Sequence, residues 1–251
     1  MTPATLATDL AMALDPVELA RAAGLEPDGW QARVLRSTGS RVLLNCSRQA
    51  GKSTMAATLA VHTALYEPRS LVLLLSPSLR QSQELFKKAI ACYRTTGDSV
   101  PASTESALRV ELENRSRIVS LPGKEDTVRG FSGVKLLVVD EASRVPGDLY
   151  FAVRPMLAVS RGRLLALSTP FGTRGWWYDA WRSEEPWERY EVTAAQCPRI
   201  TREFLEEERR TLGEWWFAQE YECKFLDAET QPFGREDIER AFEENVQTWV
   251  L

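Results

Sequence analysis

The stretch Cys46-Ser47-Arg48-Gln49-Ala50-Gly51-Lys52-Ser53-Thr54 places a glycine, a lysine and two hydroxyls side by side. An apolar run, Val42-Leu43-Leu44, precedes it and the alanine-rich segment Met55 to Tyr66 follows, so the order is strand, tight loop, helix. That order suits phosphate binding. A glycine lets backbone N–H groups approach phosphate oxygens without a side chain in the way, and the helix N-terminus adds its positive dipole end. In such a loop Lys52 reaches the β- and γ-phosphates and the Ser53 hydroxyl ligates Mg²⁺, while Ser47, Arg48, Gln49, Ala50, Gly51 and Thr54 surround the phosphates. The pattern G-x-x-x-x-G-K-[ST] asks for glycine where this chain has Cys46. A Gly-Lys-Ser triplet also arises by chance, so the loop alone leaves the reading open.

A second half of the site stands at Val134-Lys135-Leu136-Leu137-Val138-Val139-Asp140-Glu141. A mostly apolar run ending in two carboxylates reads as a buried parallel strand with an acidic C-terminal end, where open α/β sheets bind ligands. Asp140 would hold Mg²⁺ through water, and Glu141 would orient or deprotonate the attacking water. Taken alone, the pair also suits a helix cap. Loop and acidic strand together point to an NTPase.

Three further stretches bear on the same chemistry. Trp30-Gln31 lies upstream of the loop, and a Gln amide offers adenine both a donor and an acceptor. The same residues fit a helix start with Trp30 in the core. Arg163 to Leu167 reads as a strand ending in Ser168-Thr169-Pro170, whose hydroxyls suit the γ-phosphate, Glu141 or a simple turn. The loop Pro122 to Gly133 carries Lys124, Arg129 and Gly130. An arginine there is a candidate finger, a role worth roughly 10³–10⁵ in rate.

The elements that must position these residues follow from the pattern. Short amphipathic helices are expected over residues 3–25, with Asp15-Pro16 starting the second. Ser70 to Leu75 is a second buried strand, and Ser78 caps a helix running to about Arg94. Residues 95–106 read as a polar loop. Leu108 to Glu113 and Ile118 to Leu121 alternate about Asn114-Arg115-Ser116, a hairpin signal with Arg115 and Arg117 at its tip. Residues 147–158 read as a helix, and Thr201 to Lys224 as a strongly helical segment. The aromatic-rich stretch from Trp176 to Trp216 is expected to pack a small subdomain. His62 has no partner histidine and is read as structural. The sum is an α/β chain, a mostly parallel, doubly wound sheet followed by a small, mainly helical part.

Composition narrows the class. With 251 residues, 44% of them hydrophobic, the chain has material for one large domain or one and a half. Its longest aliphatic run, Leu71 to Leu75, is far short of a membrane span, and residues 1–14 show no basic region of a signal peptide. Cys46, Cys92, Cys197 and Cys223 show no C-x-x-C spacing, so reduced thiols and a reducing compartment are expected. Residues 1–175 carry 22 Lys and Arg against 16 Asp and Glu, whereas residues 176–251 carry 9 against 19. That asymmetry suits DNA on one face and protein on another, and also ordinary surface charge.

With these residues in hand, the chain resembles the ATPase domain of bacteriophage terminase large subunits. Ser47-Arg48-Gln49-Ala50-Gly51-Lys52-Ser53 is similar to the family's deviant loop, S-R-Q-x-G-K-[ST], which accounts for Cys46. Val138-Val139-Asp140-Glu141-Ala142 resembles the acidic motif, Ser168-Thr169-Pro170 the coupling motif and Trp30-Gln31 the adenine-reading element. Gln219-Glu220-Tyr221 with Phe225 resembles the lid.

The resemblance implies a P-loop NTPase core over 1–195 and a lid over 196–251. It implies ATP and Mg²⁺ as cofactors, and hydrolysis coupled to moving double-stranded DNA into a procapsid in the cytoplasm of an infected bacterium. It also implies a homo-oligomeric, pentameric ring, with the portal and the small terminase subunit as partners and no membrane. Arg129-Gly130 sits where the family places an arginine acting in trans, and Arg48 is the other finger candidate. Arg94, Arg115, Arg117 and Lys124 are candidate DNA contacts. The family continues into an RNase H-like nuclease domain, which would begin near Phe233-Gly234-Arg235, so no cleavage activity is expected of this chain. A helicase-like DNA-dependent ATPase is the alternative, with no second RecA-like half in view. A GTPase switch lacks an Asn-Lys-x-Asp motif, and a vestigial ATPase in an assembly module sits badly with intact Lys52, Asp140 and Glu141.

Overall fold

A computed structural model describes residues 3–96, 100–122, 128 and 130–227. Lys124, Arg129, and the lid's continuation past residue 227 lie outside the described residues. The helices are α1 (Pro3–Leu14), α2 (Pro16–Ala22), α3 (Gly29–Arg36), α4 (Lys52–Tyr66), α5 (Leu79–Thr95), α6 (Gly147–Val153), α7 (Trp176–Arg182) and α8 (Arg202–Tyr221). The strands are β1 (Arg41–Cys46), β2 (Leu71–Ser76), β3 (Ala102–Glu105), β4 (Arg109–Leu112), β5 (Arg117–Pro122), β6 (Leu136–Asp140), β7 (Arg163–Ser168) and β8 (Glu188–Val192).

Local signals explain most of these boundaries. Pro16 stands at the first turn of α2, with the Asp15 side chain accepting from Val17 N–H at 3.0 Å. Ser78 caps α5 through Gln81 N–H, and Thr201 caps α8 through Phe204 N–H. Pro155 has no N–H to continue α6, so the expected helix over 147–158 ends at Val153 and gives way to a 3₁₀ turn, Arg154–Leu157. Gly213, at φ +76° and ψ 164°, breaks α8 into two segments.

The strands form one sheet in the order β3-β4-β5-β2-β6-β7-β1-β8. From β5 to β8 all neighbours are parallel, and β3 and β4 add an antiparallel edge. Alternate side chains serve two cores. Val42, Leu44, Leu74, Val138 and Leu165 face the cluster covered by α1 to α5. Leu43, Leu73, Val139, Leu164 and Ala166 face the cluster covered by α6 and α7. With helices on both faces, the central strands read as nearly unbroken apolar runs.

Sequence patterning missed β3 and β8. The polar loop expected over 95–106 contains β3, whose four residues are all exposed, so no apolar alternation marks it. Strand β8 reads Glu-Arg-Tyr-Glu-Val and is buried fully only at Val192. Trp176, Trp177 and Trp187 belong to the second face of the main core rather than to a small subdomain, with Trp176 stacked 3.9 Å from Tyr150. A third, small cluster of Ala194, Phe217 and Tyr221 joins α8 to the residues after β8.

Candidate functional site

The site lies at the C-terminal ends of three adjacent strands, β6, β7 and β1. Register puts Asp140 level with Leu167, and Asn45 level with Ser168. Insertion of β7 between the loop strand and the acidic strand brings the Ser168-Thr169 end between the two halves of the site.

The loop after β1 is held from behind. Ser47 N–H donates to Val192 carbonyl at 2.9 Å and Arg48 N–H to Glu220 carbonyl at 3.0 Å. The Arg48 guanidinium meets the Glu220 carboxylate at 2.6 Å, and Asn45 Nδ2 donates to Cys223 carbonyl at 2.9 Å. Gln49 and Gly51 both take positive φ, 60° and 88°. Gly51 is required twice over. A Cβ there would lie 2.8 Å from Gln31 Nε2, and the left-handed backbone disfavours any side chain.

Two pairs define the chemistry. Lys52 Nζ stands 3.3 Å from Glu141 Oε1, and Ser53 Oγ donates to Asp140 Oδ2 at 3.0 Å. Burial, and next the charge of Glu141, push the Asp140 carboxyl above its ordinary range, against the pull of Lys52, Ser53 and the Glu141 N–H. Glu141 itself holds a left-handed backbone, φ 50° and ψ 45°, an uncommon state for a residue with a side chain and one found where neighbours fix a functional group. Ser168 Oγ lies 2.7 Å from Ser143 Oγ and accepts from Ser143 N–H at 3.2 Å, tying the end of β7 to the turn after Glu141.

A cavity of about 440 Å³ opens here, lined by Arg48 to Thr54, Glu141 and Thr169 together with Gln81, Lys88 and Arg144. It therefore gathers Arg48, Gln49, Ala50, Gly51, Lys52, Ser53, Thr54, Glu141 and Thr169 as the sequence implied. Ser47 and Ser168 are buried behind the wall, as braces. The last three lining residues were missed. Gln81 and Lys88 come from α5, seven residues apart on one helical face, and Arg144 follows Glu141, its guanidinium 4.2 Å from the Phe171 ring.

A neighbouring cavity of about 540 Å³ lies on the other side of Gly51, between Leu25, Gln31, Thr54, Met55 and Arg199. Gln31 accepts from Asp28 N–H at 2.8 Å and donates to Ala50 carbonyl at 3.3 Å. Arg199, also missed, grips Asp28 through bonds of 2.9 and 2.8 Å and reaches Ala50 carbonyl at 3.2 Å. Trp30 is buried in the core and is not part of either wall, so it sits where its alternative reading placed it. Its absence from these walls follows from its place on the buried side of α3.

Of the candidate DNA contacts, Arg94 is exposed near the end of α5 and pairs with Glu105 at 2.8 Å. Arg115 is exposed in the β4–β5 turn at φ 67°. Arg117 opens β5 rather than lying at the tip, and is partly covered. Arg115 and Arg117 stand at the end of the sheet opposite the phosphate loop. The four cysteines are free and buried. His62 is bound to Met12 carbonyl at 3.1 Å, and no described helix is long and apolar enough to cross a membrane.

The donor set fits a nucleotide triphosphate with a divalent cation. The amides of Gln49, Ala50 and Gly51 have no protein acceptor among the described residues, at the start of a 15-residue helix. Buried Asp140, held by a hydroxyl, offers a hard oxygen ligand of the type Mg²⁺ takes.

Known proteins carry the same fold. The family described as "Terminase large subunit, T4likevirus-type, N-terminal" matches residues 43–240. The terminase large subunit of Thermus virus P23-45 is 24% identical over 253 aligned residues, covering 86% of this chain and 52% of that protein. That of Escherichia phage T5 is 29% identical, covering 84% of this chain and 50% of that protein. The chain thus spans about half the length of the curated relatives it matches. Among solved structures, the large terminase ATPase domain of Thermus phage P74-26 superposes with a TM-score of 0.74 at 23% identity, covering 82% of this chain and 97% of that one. A large terminase from a thermophilic bacteriophage, solved with ADP, superposes with a TM-score of 0.67 at 11% identity, over 79% of this chain and 53% of that one. Matched by that family over residues 43–240, the chain belongs to the terminase large subunit family, in its N-terminal part.

Proposed function

We propose that the chain hydrolyses ATP and that this drives movement of double-stranded DNA into a procapsid. The observation that carries the reading is the pairing of Lys52 with Glu141 and of Ser53 with Asp140, where Lys52, Ser53 and Glu141 line one cavity. The loop amides and Lys52 bind the β- and γ-phosphates, and Gln31 and Arg199 border the side where the base would lie. Ser53 and Asp140 would hold Mg²⁺, which when bound neutralises charge on the phosphate oxygens. Glu141, freed from Lys52 as the phosphates take that lysine, orients the attacking water and accepts its proton. Lys88 and Arg144 add positive charge at the mouth.

Arg129 is proposed to enter from a neighbouring chain in a homo-oligomeric ring, pentameric as in the family, with Arg48 as the finger in cis if each chain is complete. Portal, procapsid and small terminase subunit are the proposed partners, and the bacterial cytoplasm the proposed setting.

The test is ATPase rate against protein concentration for wild type, Glu141→Ala and Arg129→Ala. A rate per chain that climbs with concentration and collapses in both variants supports a ring with a trans finger. A concentration-independent rate lost only in Glu141→Ala passes the finger to Arg48. No Mg²⁺-dependent hydrolysis at any concentration, with or without duplex DNA, overturns the ATPase reading. Strand displacement without translocation favours the helicase-like alternative.

A further inference from the structure

The opposite ends of β1, β7 and β6 border a third cavity, of about 690 Å³, that ATP chemistry does not use. Ser40 precedes β1, Lys135 precedes β6 and Arg163 opens β7, its N–H donating to Lys135 carbonyl at 2.8 Å.

Four cations line it, and two are already matched. Arg36 is clasped by Asp15 through bonds of 3.0 and 2.6 Å, and Lys135 meets Glu67 at 2.8 Å. Arg161 and Arg163 have no ion pair among the described residues. Arg163 is the telling one: its Nε and Nη2 are buried without an acceptor. Glu188 acts on Arg163 through its charge, yet its oxygens are occupied by Ser37 Oγ and the Tyr190 hydroxyl. A guanidinium stays charged even when burial lowers its pKa, so these N–H groups feel the charge of Glu188 but lack an acceptor of their own.

The turn carrying both arginines is fixed. Gly162 packs so closely that a Cβ would come 1.9 Å from Val134 carbonyl, and Arg161 holds φ 50° beside it. Thr38 and Ser40, exposed on the facing loop, supply hydroxyl donors.

We propose that this cavity is a binding site for a phosphate group, either free phosphate or a phosphodiester of a nucleic-acid backbone. Planar, forked donors beside hydroxyls, with Arg161 outside any ion pair among the described residues and Arg163 short of acceptors, suit a tetrahedral oxyanion. Arg115, exposed on the β4–β5 turn, stands at the same end of the sheet, and its neighbour Asn114 accepts from Arg69 N–H at 3.1 Å. The free-phosphate arm is independent of the motor reading; the nucleic-acid arm rests on it.

The test is thermal melting of the purified chain in sodium phosphate against sodium chloride of equal ionic strength, in a Lys52→Ala background that disables the loop site. In parallel, a 30-base-pair duplex is titrated by anisotropy at two salt concentrations, without nucleotide. Phosphate is expected to raise Tm saturably by several degrees. Arg163→Met is expected to raise the phosphate-free Tm, because an unmatched buried guanidinium is removed, and to abolish the phosphate response. Arg161→Gln is expected to keep the baseline while weakening the phosphate response about tenfold, and, made alone in the wild-type chain, to keep the basal ATPase rate. If duplex affinity falls with it and the salt slope drops by about one, the backbone is the source. Unchanged duplex affinity assigns the site to free phosphate. No phosphate response beyond the chloride control, or a response surviving in Arg161→Gln and Arg163→Met alike, overturns the proposal. Should Arg163→Met fail to fold, Arg161→Gln decides alone.

Discussion

Glu141→Gln separates the two tasks of the acidic pair. Glu141 holds Lys52 at 3.3 Å, with side chains 24% and 10% exposed. A pair of that burial lies between exposed ion pairs, worth up to about 1 kcal/mol, and buried ones, whose disruption costs about 3–5 kcal/mol. Phosphates entering the cavity must take Lys52 from Glu141. Removing the charge therefore spares that competition, and about 1 kcal/mol corresponds to roughly fivefold tighter ATP binding. Turnover moves the other way. Loss of a positioned general base costs about 10²–10⁴ in rate. Gln keeps the shape of Glu, so the left-handed backbone at 141 is not further perturbed. A fluorescent ATP analogue titrated with Mg²⁺ reads the first effect, and single-turnover hydrolysis in excess protein reads the second. Unchanged turnover, or tenfold weaker binding, would refute the argument that Glu141 both restrains Lys52 and acts on water.

Three other outcomes follow from the same geometry. Gly51→Ala forces a methyl to 2.8 Å from Gln31 Nε2 on a left-handed backbone, which costs about 1–2 kcal/mol. Melting should fall by about 2–8 °C and ATP binding should be lost in titration. The Asp140 carboxyl sits above its ordinary value of 3.8, so its ionised form costs the fold stability above that raised pKa, and the cost vanishes as pH falls through it. Asp140→Asn should therefore melt higher than wild type near neutral pH, by a margin that shrinks on acidification, while Mg²⁺-dependent hydrolysis is lost; a lower melting point at neutral pH contradicts the sign. Arg199→Ala removes two bonds to Asp28 and one to Ala50 on a half-exposed side chain, so ATP dissociation should become roughly fivefold easier by isothermal titration. Arg199→Lys should not rescue it, since a lysine lacks the fork that grips both carboxylate oxygens.

The parts of the fold legible in the sequence are those whose causes are local. The loop around Gly51, the apolar runs of β1, β2, β6 and β7, and the helix starts at Asp15 and Ser78 each announce themselves within a few residues. Strands β3 and β8 gave no such signal because edge strands bury little, and Glu188 to Val192 alternates charge with a tyrosine. Among site residues, Lys52, Ser53, Asp140 and Glu141 were readable because their chemistry is tied to fixed spacing. Arg199 was not, because tertiary packing alone brings it to the loop. The seven-residue spacing of Gln81 and Lys88 on α5, and the position of Arg144 just past Glu141, were the signals available. The segment Thr201 to Lys224 read as one helix, and the break at Gly213 was not anticipated.

The placement of β1 between β7 and β8 has a consequence for synthesis of the chain. Strand β1 ends at Cys46, yet its two neighbours span residues 163–168 and 188–192. A ribosome adding about 5–20 residues per second needs roughly 7–30 s more before β1 has a partner on both sides. During that interval β2 can pair with β5 and β6, whereas Val42, Leu43 and Leu44 await a sheet. The phosphate loop thus takes shape among the last parts of the core. Nascent chains arrested before Val192 should expose β1 to proteases and chaperones, and nucleotide should rescue only those that have passed it.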